Sequence, residues 1–110
     1  MATAATRFRR STALFRDLGY KSTLAELLEC WAACAVTQDD LKGAARILGA
    51  ASTLRQDIGE PVAPYYAAAY ARILHDVQAG LDAPTLSNEW AAGAVMSLEE
   101  ALANVLAPPY

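Results

Sequence analysis

The sequence predicts an all-α fold of antiparallel helix pairs, about five to six helices in all. Three observations predict it. Good helix formers (Ala, Leu, Arg, Glu) dominate, while aromatics are 8% and β-branched residues are few and scattered. Apolar residues recur at i, i+3, i+4 and i+7 in one segment after another. Gly, Pro, Ser and Asp stand between those segments, where helix caps belong. At 110 residues the chain fits one domain with a core of its own.

Each helix is read from its pattern. Residues 4 to 18, "AATRFRRSTALFRDL", place Phe8, Ser11, Leu14, Phe15 and Leu18 on one side, and Gly19 is the expected C-cap. A second helix runs from about Ser22 to Val36 with the stripe Leu24, Leu27, Leu28, Trp31, Ala32, Ala35 and Val36. Ser22 or Thr23 caps it, and "TQDD" makes the next turn, with Asp39 as the expected N-cap of the third helix. That third helix, about Asp40 to Ile58, carries two apolar stripes. Leu41, Ala44, Ala45, Leu48, Ala51 and Ser52 form one; Ile47, Ala51, Leu54 and Ile58 form the other. Two stripes imply a helix packed on two sides. Gly59 caps it and Pro61 stops it.

A fourth helix is expected from about Pro64 to Ala79, closed by Gly80, with Tyr66, Tyr70, Ile73, Leu74 and Val77. Asp82 caps a fifth, "APTLSNEWAAGAV", with Pro84 in its first turn and Leu86, Trp90 and Val95 inward. Ser97 opens a sixth, "SLEEALANVLA", through a Ser97-x-x-Glu100 capping box. The connections are short, which favours consecutive helices as antiparallel neighbours.

Charge is unevenly placed. Residues 1 to 21 hold Arg7, Arg9, Arg10, Arg16 and Lys21 against Asp17, a net +4. The whole chain is −3, so residues 22 to 110 sum to −7, and no Lys or Arg follows Arg72. A net-acidic domain with no cation in its last third is not built to hold phosphate backbones, so no direct nucleic-acid binding is expected. The basic start is that of a solvated helix face or of an organelle transit peptide. No apolar run approaches the roughly 20 residues that span a bilayer, and no signal peptide is expected.

Chemistry is sparse. Cys30 and Cys34 fall one turn apart on one helix face, without the second ligand pair a metal site needs, and His75 alone cannot supply it. They are expected as small, buried, reduced residues of a cytoplasmic protein. Asp39-Asp40 and Glu99-Glu100 suit helix starts, and His75 with Asp76 suits an exposed rim. No cofactor, metal or catalytic residue is expected, and hence no enzyme. The aromatic cluster Tyr65, Tyr66 and Tyr70 packs in a core with hydroxyls at its rim, or lines a groove or interface, where Tyr is enriched.

The helix pairs also carry a repeat signal. Leu28, Trp31, Ala32 and Ala35 fit the first helix of a tetratricopeptide-type pair, and Ala44, Leu48 and Ala51 fit the second. Ala32 and Ala51 are then expected where the two backbones approach most closely. Phe8 and Ser11 precede Leu48 and Ala51 by 40 residues, as an earlier half-repeat would. The blocks Leu14-Phe15-Arg16-x-Leu18-Gly19, Ala44-Ala45-Arg46-x-Leu48-Gly49-Ala50-Ala51, Leu54-Arg55 and Ile58-Gly59 continue the pattern, with Trp90-Ala91-x-Gly93 and Met96-Ser97-Leu98-Glu99-Glu100-Ala101 at the tail. Together, over residues 10 to 106, they resemble the C-terminal tetratricopeptide-like segment of bacterial LuxR-type and MalT-like transcriptional regulators and related signal-transduction ATPases.

That resemblance implies a tetratricopeptide-like helical stack over residues 1 to 110, either a fragment or a free-standing remnant of a larger regulator. It implies a protein-interaction role, with a partner protein or a second copy as occupant; a solenoid fragment leaves a terminal helix face uncovered, and burying that face in a homodimer is the expected assembly. The chain has no GxxxxGK[ST] loop and no appended DNA-binding module, so ATPase and DNA binding do not carry over. The candidate interaction residues are Phe8 and Phe15 on the basic first helix, and Tyr66, Tyr70 and Trp90. The alternative is a small-ligand sensor whose pocket, between the third and fourth helices, is lined by Tyr66, Tyr70 and Trp90.

Overall fold

The structure is a computed structural model and describes residues 21–97, 99–101 and 103. The expected first helix, with Phe8 and Phe15, lies outside the described residues, as does the end of the sixth. The regular structure among the described residues is all α, and the helices pack in pairs, as the sequence predicts. α1 is Lys21–Thr37, α2 is Leu41–Ile58, α3 is Ala67–Gly80 and α4 is Ala83–Ala94. A 3₁₀ turn, Pro64–Tyr66, leads into α3.

The caps explain the boundaries. α1 ends in a Schellman arrangement: Asp39 takes a left-handed φ of 62°, its N–H bonds Val36 O, and the Asp40 N–H bonds Ala35 O at 2.8 Å. The next N-cap is therefore Asp40 rather than the expected Asp39, and its Oδ1 accepts from the Gly43 N–H at 3.0 Å. Gly59, at φ 69°, closes α2 in the same way, with the Glu60 N–H returning to Arg55 O. Asp82 caps α4 by accepting from the Thr85 N–H and hydroxyl. The capping box also forms: the Ser97 N–H donates to Glu100 Oε1 at 2.9 Å, and the Glu100 N–H donates to Ser97 Oγ at 3.1 Å.

α1 and α2 run antiparallel. At one end Leu24, Ala25 and Leu28 of α1 pack on Ala51 and Leu54 of α2. At the other end Ala32 packs on Ala44, Ala45 and Leu48, joined by Val77 of α3. Ala32 and Ala51 are both buried but belong to different clusters, because the antiparallel register sets Ala32 against the first half of α2. Leu24, Leu28 and Leu48 are fully buried, each worth about 1.5–3 kcal/mol relative to exposure.

α2 is packed on two sides, by α1 and by α4, whereas α3 touches α2 and α4 only lightly. The expectation that consecutive helices are the main neighbours fails here, and two glycines explain why. A Cβ at Gly93 would collide with the backbone carbonyl of Arg46, and one at Gly49 with that of Trp90. Only a bare Cα on each side lets α4 lie directly on α2. Thr53 Oγ1 then donates to Ala94 O at 2.9 Å, and Arg46 pairs with Glu89 at 2.8 Å. Contacts rise together along both helices, so α2 and α4 run in the same sense. Val95, expected inward, falls just past the end of α4 and is 83% exposed.

Gly93→Ala is expected to lower stability in urea unfolding by about 1–3 kcal/mol, the usual cost of overpacking, despite the better helix propensity of Ala. Gly80→Ala is the contrast, since its Cβ meets only the flexible end of Leu41. Equal stability for Gly93→Ala and the wild type would mean that α2 and α4 do not touch backbone to backbone.

Candidate functional site

One acidic and one basic side chain sit within apolar stripes and meet inside the protein. Glu29 follows Ala25 by four residues and precedes Ala32 by three, so the buried face of α1 carries it inward. Arg55 holds the same place in α2 relative to Leu48 and Ala51. The side chains of Glu29 and Arg55 are 2% and 9% exposed. Arg55 Nε donates to Glu29 Oε2 at 2.7 Å and its Nη2 donates to Glu29 Oε1 at 2.8 Å, a two-pronged pair. Nη1 donates to the carbonyls of Glu60 and Pro61, at 3.3 and 3.0 Å. The Tyr66 hydroxyl donates to Glu29 Oε1 and accepts from Arg55 Nη2, closing the cluster.

This cluster fixes the entry to α3. Tyr66, held by Arg55 and Glu29, takes φ −129° and ψ 18°, outside the helical region. The α-helix therefore begins at Ala67 and not at Pro64 as the sequence suggests, and it runs through Gly80 to a cap at Leu81. Hydrogen bonding to Glu29 raises the Arg55 pKa above its ordinary value, so the guanidinium stays charged. Burial raises the Tyr66 phenol first, and the hydrogen bond and charge of Glu29 add to it. Tyr65 lies outside, 77% exposed, its hydroxyl shared by both oxygens of Glu26 at 2.8 Å.

Past this anchor, Tyr70 lies one helical turn beyond Tyr66 and lines two grooves. One, of about 370 Å³, runs over Arg55, Gly59 and Pro61. The larger, of about 600 Å³, opens between α3 and α4, walled by Tyr70, Leu74, Val77, Leu86 and Trp90, with Gln78 and Ser87 among its polar lining. Val77 is fully buried at its base, and Tyr70, Leu74, Leu86 and Trp90 are half-buried. The groove exists because α4 packs on α2 and leaves α3 lightly covered.

The structure thus brings Tyr70 and Trp90 together but separates Tyr66, whose hydroxyl is spent in the charge cluster. The pocket expected between the third and fourth predicted helices sits instead between α3 and α4, for that reason. Sequence reasoning misses Glu29 and Arg55. The signal that points to them is an acid and a base each replacing an apolar residue on a buried stripe.

Cys30 is exposed and Cys34 half-buried, both free, so the expected burial of the pair fails at Cys30, which lies across α1 from Leu24, Leu28 and Ala32. Partial covering of the sulfur raises both thiols, although the Cys30 side chain as a whole is exposed, and the charge of Cys34, Glu26 and Glu29 adds at Cys30. His75 and Asp76 are exposed on α3. Among the described residues no three His, Cys, Asp or Glu side chains gather to hold a metal ion. No described helix is long and apolar enough to cross a membrane. Comparison with protein-family models, with curated proteins and with solved structures finds no match.

Tyr66→Phe is expected to cost about 1.5–3 kcal/mol at neutral pH, since it removes hydrogen bonds to two charged groups. The raised pKa adds a pH signature. Protonated Tyr66 contributes its stability fully below the unfolded tyrosine value of about 10, and that contribution is lost as pH rises toward the higher folded value. Urea midpoints at pH 8 and pH 11 should therefore differ less in Tyr66→Phe than in the wild type. An identical alkaline loss in both proteins would remove Tyr66 from the buried cluster.

Proposed function

We propose that this chain is a non-catalytic protein-interaction module that docks a partner protein or a second copy of itself, the role implied by its resemblance to the tetratricopeptide-like segments of bacterial LuxR-type and MalT-like regulators. The observation that carries the reading is the groove between α3 and α4. Tyr70 and Trp90 supply large, rigid side chains with one polar end, the kind that anchor interfaces. Leu74 and Leu86 supply apolar area left half in water, and Val77 gives the groove a fixed floor. Its lining offers amide and hydroxyl groups and no paired acid and base, which suits recognition better than proton transfer. Transcription regulation as the setting and a cytoplasmic location belong to the same proposal.

One observation favours a second reading, a small-ligand sensor. The groove's volume of about 600 Å³ falls in the range of ligand sites, about 300–1,000 Å³, and Gln78 and Ser87 would orient a bound molecule. Its openness along α3 and α4 favours an extended occupant over a small enclosed one.

The test is the mass of the protein in solution. Sedimentation velocity on the full chain from about 1 to 100 μM is expected to show a dimer building with concentration. A monomer throughout would remove self-docking, and no stabilisation by small molecules in a thermal-shift screen would remove the sensor reading.

A further inference from the structure

We propose that α3 is a hinged jaw, which opens and closes as one unit while α1, α2 and α4 stay folded. This goes beyond the interaction reading and stands whether the groove holds a partner, a second copy or a small molecule. Uneven fastening carries it. Of α3 only Val77 is buried; Tyr70, Ile73 and Leu74 are half-buried and its other residues are exposed. No side chain of residues 67–80 makes a hydrogen bond or ion pair with another described residue. The opposite wall, α4, also buries a single residue, Gly93. Yet α4 is fastened to α2 by the glycine crossing, by Thr53 Oγ1 on Ala94 O and by Arg46 with Glu89. A helix held by few buried apolar contacts is the part of a fold that opens at least cost.

The other helices hold together without α3. Leu24, Ala25, Leu28, Ala51 and Leu54 join α1 to α2 in a cluster that contains no residue of α3. Both ends of α3 are breaks in the helical backbone: Tyr66 at φ −129° and ψ 18°, and Leu81 extended at φ −121° and ψ 142°. Residues at element ends are where a hinge rotation is absorbed. Tyr66 is pinned by Glu29 and Arg55, so the jaw turns without leaving the body. Packed with Val77 are Ala32, Ala44, Ala45 and Leu48, all fully buried. Leu86 and Trp90 of α4 pack on the same cluster. Opening therefore joins that buried bed to the groove, and the depth of the groove is set by where α3 sits.

Hydrogen exchange read residue by residue on the full wild-type chain tests this. Amides of residues 71–80 are expected to share one opening, about tenfold or more above that of the slowest amides in α1, α2 and α4. That opening should respond to low urea less steeply than unfolding of the whole chain. Val77→Ala should speed exchange in 71–80 by a further factor of about ten or more and leave the slowest amides of the other helices near wild type. The bed is probed with a thiol-reactive disulfide reagent on Ala45→Cys, beside Val77, and on Ala51→Cys, in the other cluster. Both carry Cys30→Ser and Cys34→Ser. The thiol at position 45 is expected to react about tenfold or more faster than that at position 51, and Val77→Ala should speed the first alone. Equal reaction at the two positions, a wild-type α3 as slow to exchange as α2, or a Val77→Ala that speeds all four helices alike overturns the jaw.

Discussion

A guanidinium buried against a carboxylate organises this molecule. Charge so far from water is costly unless paired and hydrogen-bonded, and the donors of Arg55 together reach three parts of the chain. Glu29 ties α1 to α2. The carbonyls of Glu60 and Pro61 fix the connector as it leaves α2. The Tyr66 hydroxyl fixes the residue before α3. The apolar clusters hold α1 on α2 and take in Val77 of α3, but neither includes a residue of the connector from Gly59 to Tyr66. The ion pair therefore sets geometry more than it adds stability, since such a pair nearly cancels against its own desolvation.

Small residues set the second constraint. Gly49 and Gly93 let α4 lie backbone to backbone on α2, so α2 is covered by α1 and α4 and has little surface left for α3. The resulting mismatch leaves Tyr70, Leu74, Leu86 and Trp90 half in water. A stack in which α3 filled that space would bury them and have no groove. On the proposed reading, the close helix crossing and the anchored Tyr66 are what hold a docking surface open without a ligand in it.

Local features are legible in the sequence because they act over three or four residues. Asp82, Gly59 and the Ser97–Glu100 box all cap where their residue types say they should. The central role of residues 41 to 58 is legible from its two stripes. Features decided by distant partners are not. Tyr66 shortens the fourth predicted helix because of residues 11 and 37 positions away. Val95 lies past a helix end whose position depends on the α2 crossing. Tyr70 and Trp90 stand out as aromatics on inward faces, whereas placing Tyr66 with them overlooks that a buried phenol seeks a partner. Glu29 and Arg55 have to be read as a pair, each an intruder on an apolar stripe.

The claim that most of this structure depends on is that Arg55 positions α3. Hydrogen exchange on Arg55→Lys measures it directly. Lysine keeps the charge and one contact to Glu29 but lacks the planar fork that reaches Tyr66 and the connector at once. A selective loss of protection is expected in residues 60–80, by at least tenfold in exchange rate, with α1, α2 and α4 closer to wild type. Protection lost equally in all four helices, or in none, would contradict it.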